Sequence, residues 1–173
     1  RRKNLLLRDL DELVNQQLAK MLFANPQRID YYDRYQEIID AYNAEQNRAT
    51  IEKTFMDLME LASSLDTEQQ RYVREGFSSD EELSVYDLLF SENLTKQEIE
   101  TIKKVSVDLL TKIKQQIAKL DHWTDKQETK AIVDNLIRNT LWQELPNSYD
   151  VSDIQTYQKK IYEYVYMRYP EVA

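Results

Sequence analysis

Leu6, Leu10, Leu13, Val14, Leu18, Met21 and Leu22 recur at steps of three and four residues, the spacing that lines one side of an α-helix with apolar side chains. Asn25-Pro26 ends this first predicted helix, because proline has no N–H with which to continue the hydrogen-bond ladder. A second helix carries Tyr31, Tyr35, Ile38 and Tyr42 on one side and fades in the polar run Asn43-Ala44-Glu45-Gln46-Asn47. The third, striped by Ile51, Phe55, Leu58, Ala62 and Leu65, is predicted to be the longest. It extends toward Tyr72, with Gly76 as a left-handed cap.

Beyond Gly76 the helix starts are marked by polar pairs three residues apart. Ser79 with Glu82 opens a short helix bearing Leu83, Tyr86, Leu89 and Phe90, and Thr95 with Glu98 opens one bearing Ile99, Ile102, Val105, Leu109, Ile113 and Ile117. Thr124 with Gln127 is expected to start a helix through Ile132, Val133, Leu136, Ile137 and Leu141, stopped by Leu145-Pro146-Asn147-Ser148. Asp150 or Ser152 caps the last helix. That helix has Ile154, Tyr157, Ile161, Tyr164 and Val165 on one face and Tyr162, Tyr166 and Tyr169 on another. No period of a solenoid repeat recurs.

One glycine and three prolines in 173 residues leave few places to turn, so the composition supports the same all-α class. The expected architecture is about seven helices in one compact domain, 1–173, mostly antiparallel and orthogonal or bundle-like. Two helical lobes, 1–76 and 77–173, are the alternative division. The chain has no cysteine, hence no disulfide framework and no thiolate metal site, and no window nears the roughly 20 apolar residues of a membrane span. A cytoplasmic setting without membrane contact is the expectation. The charged start Arg1-Arg2-Lys3-Asn4, with no initiator Met, suggests a cut inside a longer chain.

The net charge of −8 opposes a phosphate-led grip on nucleic acid by the whole surface. Residues 95–120 are the cationic exception, with six lysines against three acids. Lys103, Lys104, Lys112, Lys114 and Lys119 could touch a DNA backbone, although lysines on the outer side of an amphipathic helix are usually just solvated.

Catalytic chemistry finds little material. His122 is the only histidine, so a Ser–His pair would have to use it, and beside Trp123 at a helix start it reads as a loop residue. One imidazole cannot build an ordinary zinc site, and a phosphate cradle needs more glycine than Gly76. Glu128-Thr129-Lys130 after Asp121 and Asp125 has the acid-x-Lys spacing of a magnesium-dependent nuclease, but acids in the first turn of a helix are favoured there anyway. No catalytic, cofactor or metal site is therefore expected in these residues. Twelve tyrosines, six of them from Tyr149 onward, are the unusual feature. Tyr162, Tyr166 and Tyr169 are the candidate partner face, with burial of both sides of the last helix as the other reading.

Three blocks, Asn25-Pro26-Gln27-Arg28-Ile29-Asp30-Tyr31-Tyr32 with Tyr35-Gln36-Glu37-Ile38-Ile39, then Arg74-Glu75-Gly76-Phe77-Ser78-Ser79-Asp80-Glu81-Glu82-Leu83 running into Tyr86-Asp87-Leu88-Leu89, and Leu145-Pro146-Asn147-Ser148-Tyr149 before a Tyr-rich helix, give the chain a family likeness. With Asp121-His122-Trp123 between them, they resemble the C-terminal helical region of type I restriction enzyme R subunits. The resemblance implies a parent with a magnesium-dependent nuclease domain and an ATP-driven DNA motor, assembled with methylase and specificity subunits. It assigns ATP and Mg to the parent rather than to this piece. The piece itself would dock the R subunit onto the methylase core, pack against the motor domains of its own chain, and meet DNA through the complex.

Overall fold

The computed structural model describes residues 2–171, which form eight α-helices, two short 3-10 turns and no strand. The chain divides into two compact units, Arg1–Asp80 and Glu81–Ala173. Among the described residues no helix is long and apolar enough to cross a membrane.

The first unit holds α1 (Arg2–Ala24), α2 (Ile29–Ala44), α3 (Arg48–Gln69) and the single turn α4 (Arg71–Arg74). Asn25 is buried and accepts the Gln27 N–H at 3.1 Å, which starts a 3-10 turn at Pro26 and reverses the chain between α1 and α2. Asn47 repeats the device for α3 by accepting the Thr50 N–H at 2.9 Å. The core is built from Leu7, Val14, Leu18 and Met21 of α1, Tyr35 of α2, and Leu58, Leu61 and Leu65 of α3. Tyr35 adds a polar tie, its hydroxyl donating to Asp11 Oδ1 at 2.5 Å.

Two expectations are corrected here. The inward stripe of α1 runs through Leu7 rather than Leu6, and Leu6 and Leu13 are both more than half exposed. The 7, 14, 18, 21 ladder is the one packed with α3 in the core, and positions 6 and 13, each turned about 100° from its neighbour on that ladder, fall on the exposed side of α1. The third helix is also not the longest: α1 and α6 have 23 residues each against its 22, because Gln70 breaks the ladder before α4. Gly76 ends α4 with φ +85, and the Phe77 N–H closes onto Tyr72 O at 2.9 Å, a left-handed helix end that Gly adopts without cost.

The second unit contains α5 (Asp80–Leu89, whose first residue still belongs to the first unit), α6 (Lys96–Ala118), α7 (Gln127–Glu144) and α8 (Val151–Arg168). Every side of α5 is covered, with Leu83, Ser84, Val85, Tyr86, Leu88 and Leu89 all buried. Ile102, Val105, Leu109, Ile113 and Ile117 line the inner face of α6; Val133, Ile137 and Leu141 do so on α7, and Ile154, Ile161 and Val165 on α8. Reciprocal capping boxes fix two starts, Thr95 with Glu98 for α6 and Asp150 with Asp153 for α8. The start of α7 differs from the Thr124–Gln127 box expected. His122 takes a left-handed conformation, Trp123–Asp125 form a 3-10 turn, and the helix begins at Gln127 without a side-chain cap from Lys126. Thr129 instead turns its hydroxyl back onto Trp123 O at 2.6 Å.

Candidate functional site: the aromatic face of the last helix

The anchor of this face is Trp123, which the 3-10 turn before α7 drives fully out of solvent. Its indole N–H donates to Tyr169 O at 2.7 Å, fixing the ring against the end of α8. Two α8 tyrosines, four residues apart and so on one side of the helix, meet the indole edge-on. Tyr162 lies at 6.0 Å and 79°, and Tyr166 at 5.8 Å and 85°, with 6.1 Å between the two tyrosine rings. Edge-to-face geometry is the favoured one for ring quadrupoles, so the three rings hold one another in place. Lys130 of α7 sits 5.9 Å over the Tyr166 ring.

The three candidate tyrosines differ in what remains available. Tyr166 is 38% exposed. Tyr162 is half-buried, and burial followed by the nearby Asp134 carboxylate pushes its hydroxyl above the usual tyrosine range. Tyr169 is committed inward: its hydroxyl donates to Glu81 Oε2 at 2.8 Å and Lys114 lies 5.5 Å over its ring. Burial tends to raise the Glu81 carboxyl, but Lys114 at 2.5 Å and the Tyr169 hydroxyl outweigh it and hold the group below its ordinary value. Met167, 63% exposed, adjoins Tyr166 on the outer side of α8.

The lysines of α6 are spread around the helix. Lys112 contacts Asp108 at 2.9 Å and Glu144 at 3.2 Å, and these carboxylates raise its pKa. Lys114 belongs to the Glu81–Tyr169 cluster, Lys103 lies 5.9 Å over the Tyr86 ring, and Lys104 and Lys119 are exposed. His122 is exposed, 3.5 Å from Asp121 Oδ1 and 3.9 Å from Glu171 Oε1, with no hydroxyl nucleophile in that set. Glu128 is exposed, while Lys130 turns to Tyr166. Among the described residues no group of three or more His, Asp or Glu side chains is placed to hold a metal.

Sequence reasoning missed a second polar constellation, in the first unit. Arg28, 3% exposed, donates from Nε to Glu68 Oε2 at 3.2 Å and through both terminal nitrogens to Asp80, at 3.0 and 2.5 Å. Arg71 pairs with the other face of Glu68 at 2.6 Å. The signal was Glu68 itself. An acid in the last turn of a helix opposes the macrodipole, and a buried one demands cations. Two of the blocks that carry the family likeness, 25–32 and 74–83, meet at this guanidinium.

The sequence model of the family described as type I restriction enzyme HindI endonuclease subunit-like, C-terminal, matches residues 1–169. No curated protein and no solved structure matches the chain.

Proposed function

Since the chain belongs to the type I restriction enzyme HindI endonuclease subunit-like C-terminal family, we propose that it is an assembly domain, without catalytic groups of its own, that docks the endonuclease subunit onto its methylase–specificity partners. The observation that carries this reading is the exposed Tyr166 ring, held by a fully buried Trp123 and by Tyr162. A rigid aromatic anchor loses little conformational freedom on binding, and such anchors dominate protein interfaces. The mechanism is tethering: the domain keeps a DNA motor beside the recognition complex, so that translocation draws DNA toward a fixed point. ATP and magnesium chemistry lies in other parts of the endonuclease subunit, and specificity in a separate subunit.

The test is co-purification of the methylase core with full endonuclease subunit carrying Tyr166→Ala and Tyr162→Ala. Removal of a central aromatic anchor costs about 2 kcal/mol or more of binding, roughly a thirtyfold loss of affinity. Undiminished assembly would remove α8 as the docking face.

The competing reading, a DNA-backbone contact through Lys103, Lys104, Lys112 and Lys114, has less support. Lys112 and Lys114 lie within ion-pair distance of carboxylates, which offset their charge toward phosphate. Retardation of duplex DNA by the isolated chain, weakening steeply with added salt, would favour it. No retardation at low salt is the expected result.

A further inference from the structure

We propose that the outer face of α7 and α8 receives an acidic segment of the partner subunit, whose carboxylates sit on Arg138 and Lys159 and whose apolar side chains cover Tyr162 and Tyr166 at one end and Trp142 and Val151 at the other. This rests on the docking reading above and names the chemistry of what docks.

Helix register lays out the face. Lys130 of α7 meets the Tyr166 ring of α8, and Asp134, one turn further along α7, accepts from Gln158 Nε2 at 3.1 Å, so the two helices run antiparallel. Steps of three and four residues keep to one side of a helix, and on α8 they lead back from Tyr166 through Tyr162 and Lys159 to Gln155 and Val151. On α7 the matching steps lead from Lys130 and Asp134 to Arg138 and Trp142. Trp142 and Val151 are both exposed, so the row has an apolar group at each end. The rise of α8 sets Val151 about 22 Å from Tyr166, a span that a partner segment of some four helical turns would match.

Charge gives the middle of the row its selectivity. Arg138 and Lys159 are exposed, and among the described residues neither lies within ion-pair distance of a carboxylate, in contrast to Lys112 and Lys114 of α6. Of the neighbouring acids, Asp134 is half-buried and held by Gln158, and Glu163 falls at the edge of the row beyond Lys159. The centre is therefore cationic on a chain of net charge −8, and it complements carboxylates while rejecting a basic partner. Two cations on so acidic a chain are too few for a phosphate-led grip. Tyr, Trp and Arg are also the side chains that protein interfaces favour.

Binding of the full endonuclease subunit to the immobilised methylase–specificity core, followed at several salt concentrations, tests this with the pair Arg138→Gln and Lys159→Gln and, separately, with Tyr166→Ala. Both charges are exposed, so the pair opens no cavity, and an unchanged helical signal and unfolding midpoint check that. The Gln pair is expected to slow association about tenfold at low salt and to flatten its salt dependence, because exposed charges at an interface act mainly on the encounter. Arg138→Glu with Lys159→Glu should slow it further. If Tyr166→Ala weakens binding while the Gln pair leaves the rate and its salt dependence unchanged, docking stands and the acidic partner is overturned. If neither changes binding, the docking reading falls and the acidic partner falls with it. An effect of the Gln pair without one of Tyr166→Ala would put the contact off the rings and overturn the arrangement. Faster association of the Glu pair would mark a basic partner. Retardation of a duplex oligonucleotide by the 173-residue chain, abolished in the Gln pair, would reassign the cations to phosphate, and self-association abolished in the same way would make the occupant a second copy. Each of these last three results overturns the proposal.

Discussion

Tyr35, Tyr149, Tyr162, Tyr164 and Tyr169 share one physical condition: burial disfavours the phenolate and raises each hydroxyl above the ordinary 10.0. The sign follows from linkage. In the unfolded chain these groups ionise near 10, while in the folded chain they stay protonated to higher pH, so the stability they contribute is complete below pH 10 and is lost as the pH rises beyond it. Phenolate absorbance followed against pH should therefore show a late component from these five rings, above the pH of a free tyrosine and accompanied by loss of helical signal. Absence of a late component would contradict the burial. His122 makes a different residue-scale case, because its left-handed φ of +48 costs a non-glycine residue about 1 kcal/mol. His122→Gly is expected to raise the unfolding midpoint by a degree or more, measured by thermal denaturation.

The elements were largely legible because long helices repeat their inward signal. Leu58 and Leu65 on α3, Ile102 to Ile117 on α6, and Ile154 to Val165 on α8 point inward as their spacing predicts, and the Thr95–Glu98 and Asp150–Asp153 boxes start α6 and α8. The face of α1 was misread for a physical reason: five leucines in the first 13 residues fit two overlapping stripes, and only packing against α3 selects the one through Leu7. Denaturant unfolding checks that choice. Leu18→Ala should cost about 3 kcal/mol by opening a cavity in the first unit, whereas Leu13→Ala on the exposed side should stay within about 0.5 kcal/mol. The start of α7 was also misplaced, since the 3-10 turn at Trp123 depends on an indole contact with Tyr169, 46 residues away, that no local pattern encodes.

At the scale of the whole molecule, the scarcity of turn residues, one glycine and three prolines, told the fold class. The aromatic face was half legible. Tyrosine spacing singled out Tyr162 and Tyr166, but Trp123 beneath them and the inward commitment of Tyr169 required the fold. The Arg28 cluster was illegible as a set, because its members are separated by 40 and 52 residues. With net charge −8, the isolated chain should stay clear of duplex DNA near physiological salt, a result that a filter-binding titration would check.

Trp123 also turns the chain into its own optical instrument. The sequence has two tryptophans, one with its indole fully buried and one, Trp142, nearly half exposed, so their emission should separate into a blue, quencher-resistant component and a red, quenchable one. Replacing Trp142 with Phe would leave a single tryptophan, packed against Tyr162 and Tyr166 and excitable apart from the tyrosines at the red edge of the absorption band. Any molecule that settles on those rings then reports its arrival in the light emitted below them, with no label attached.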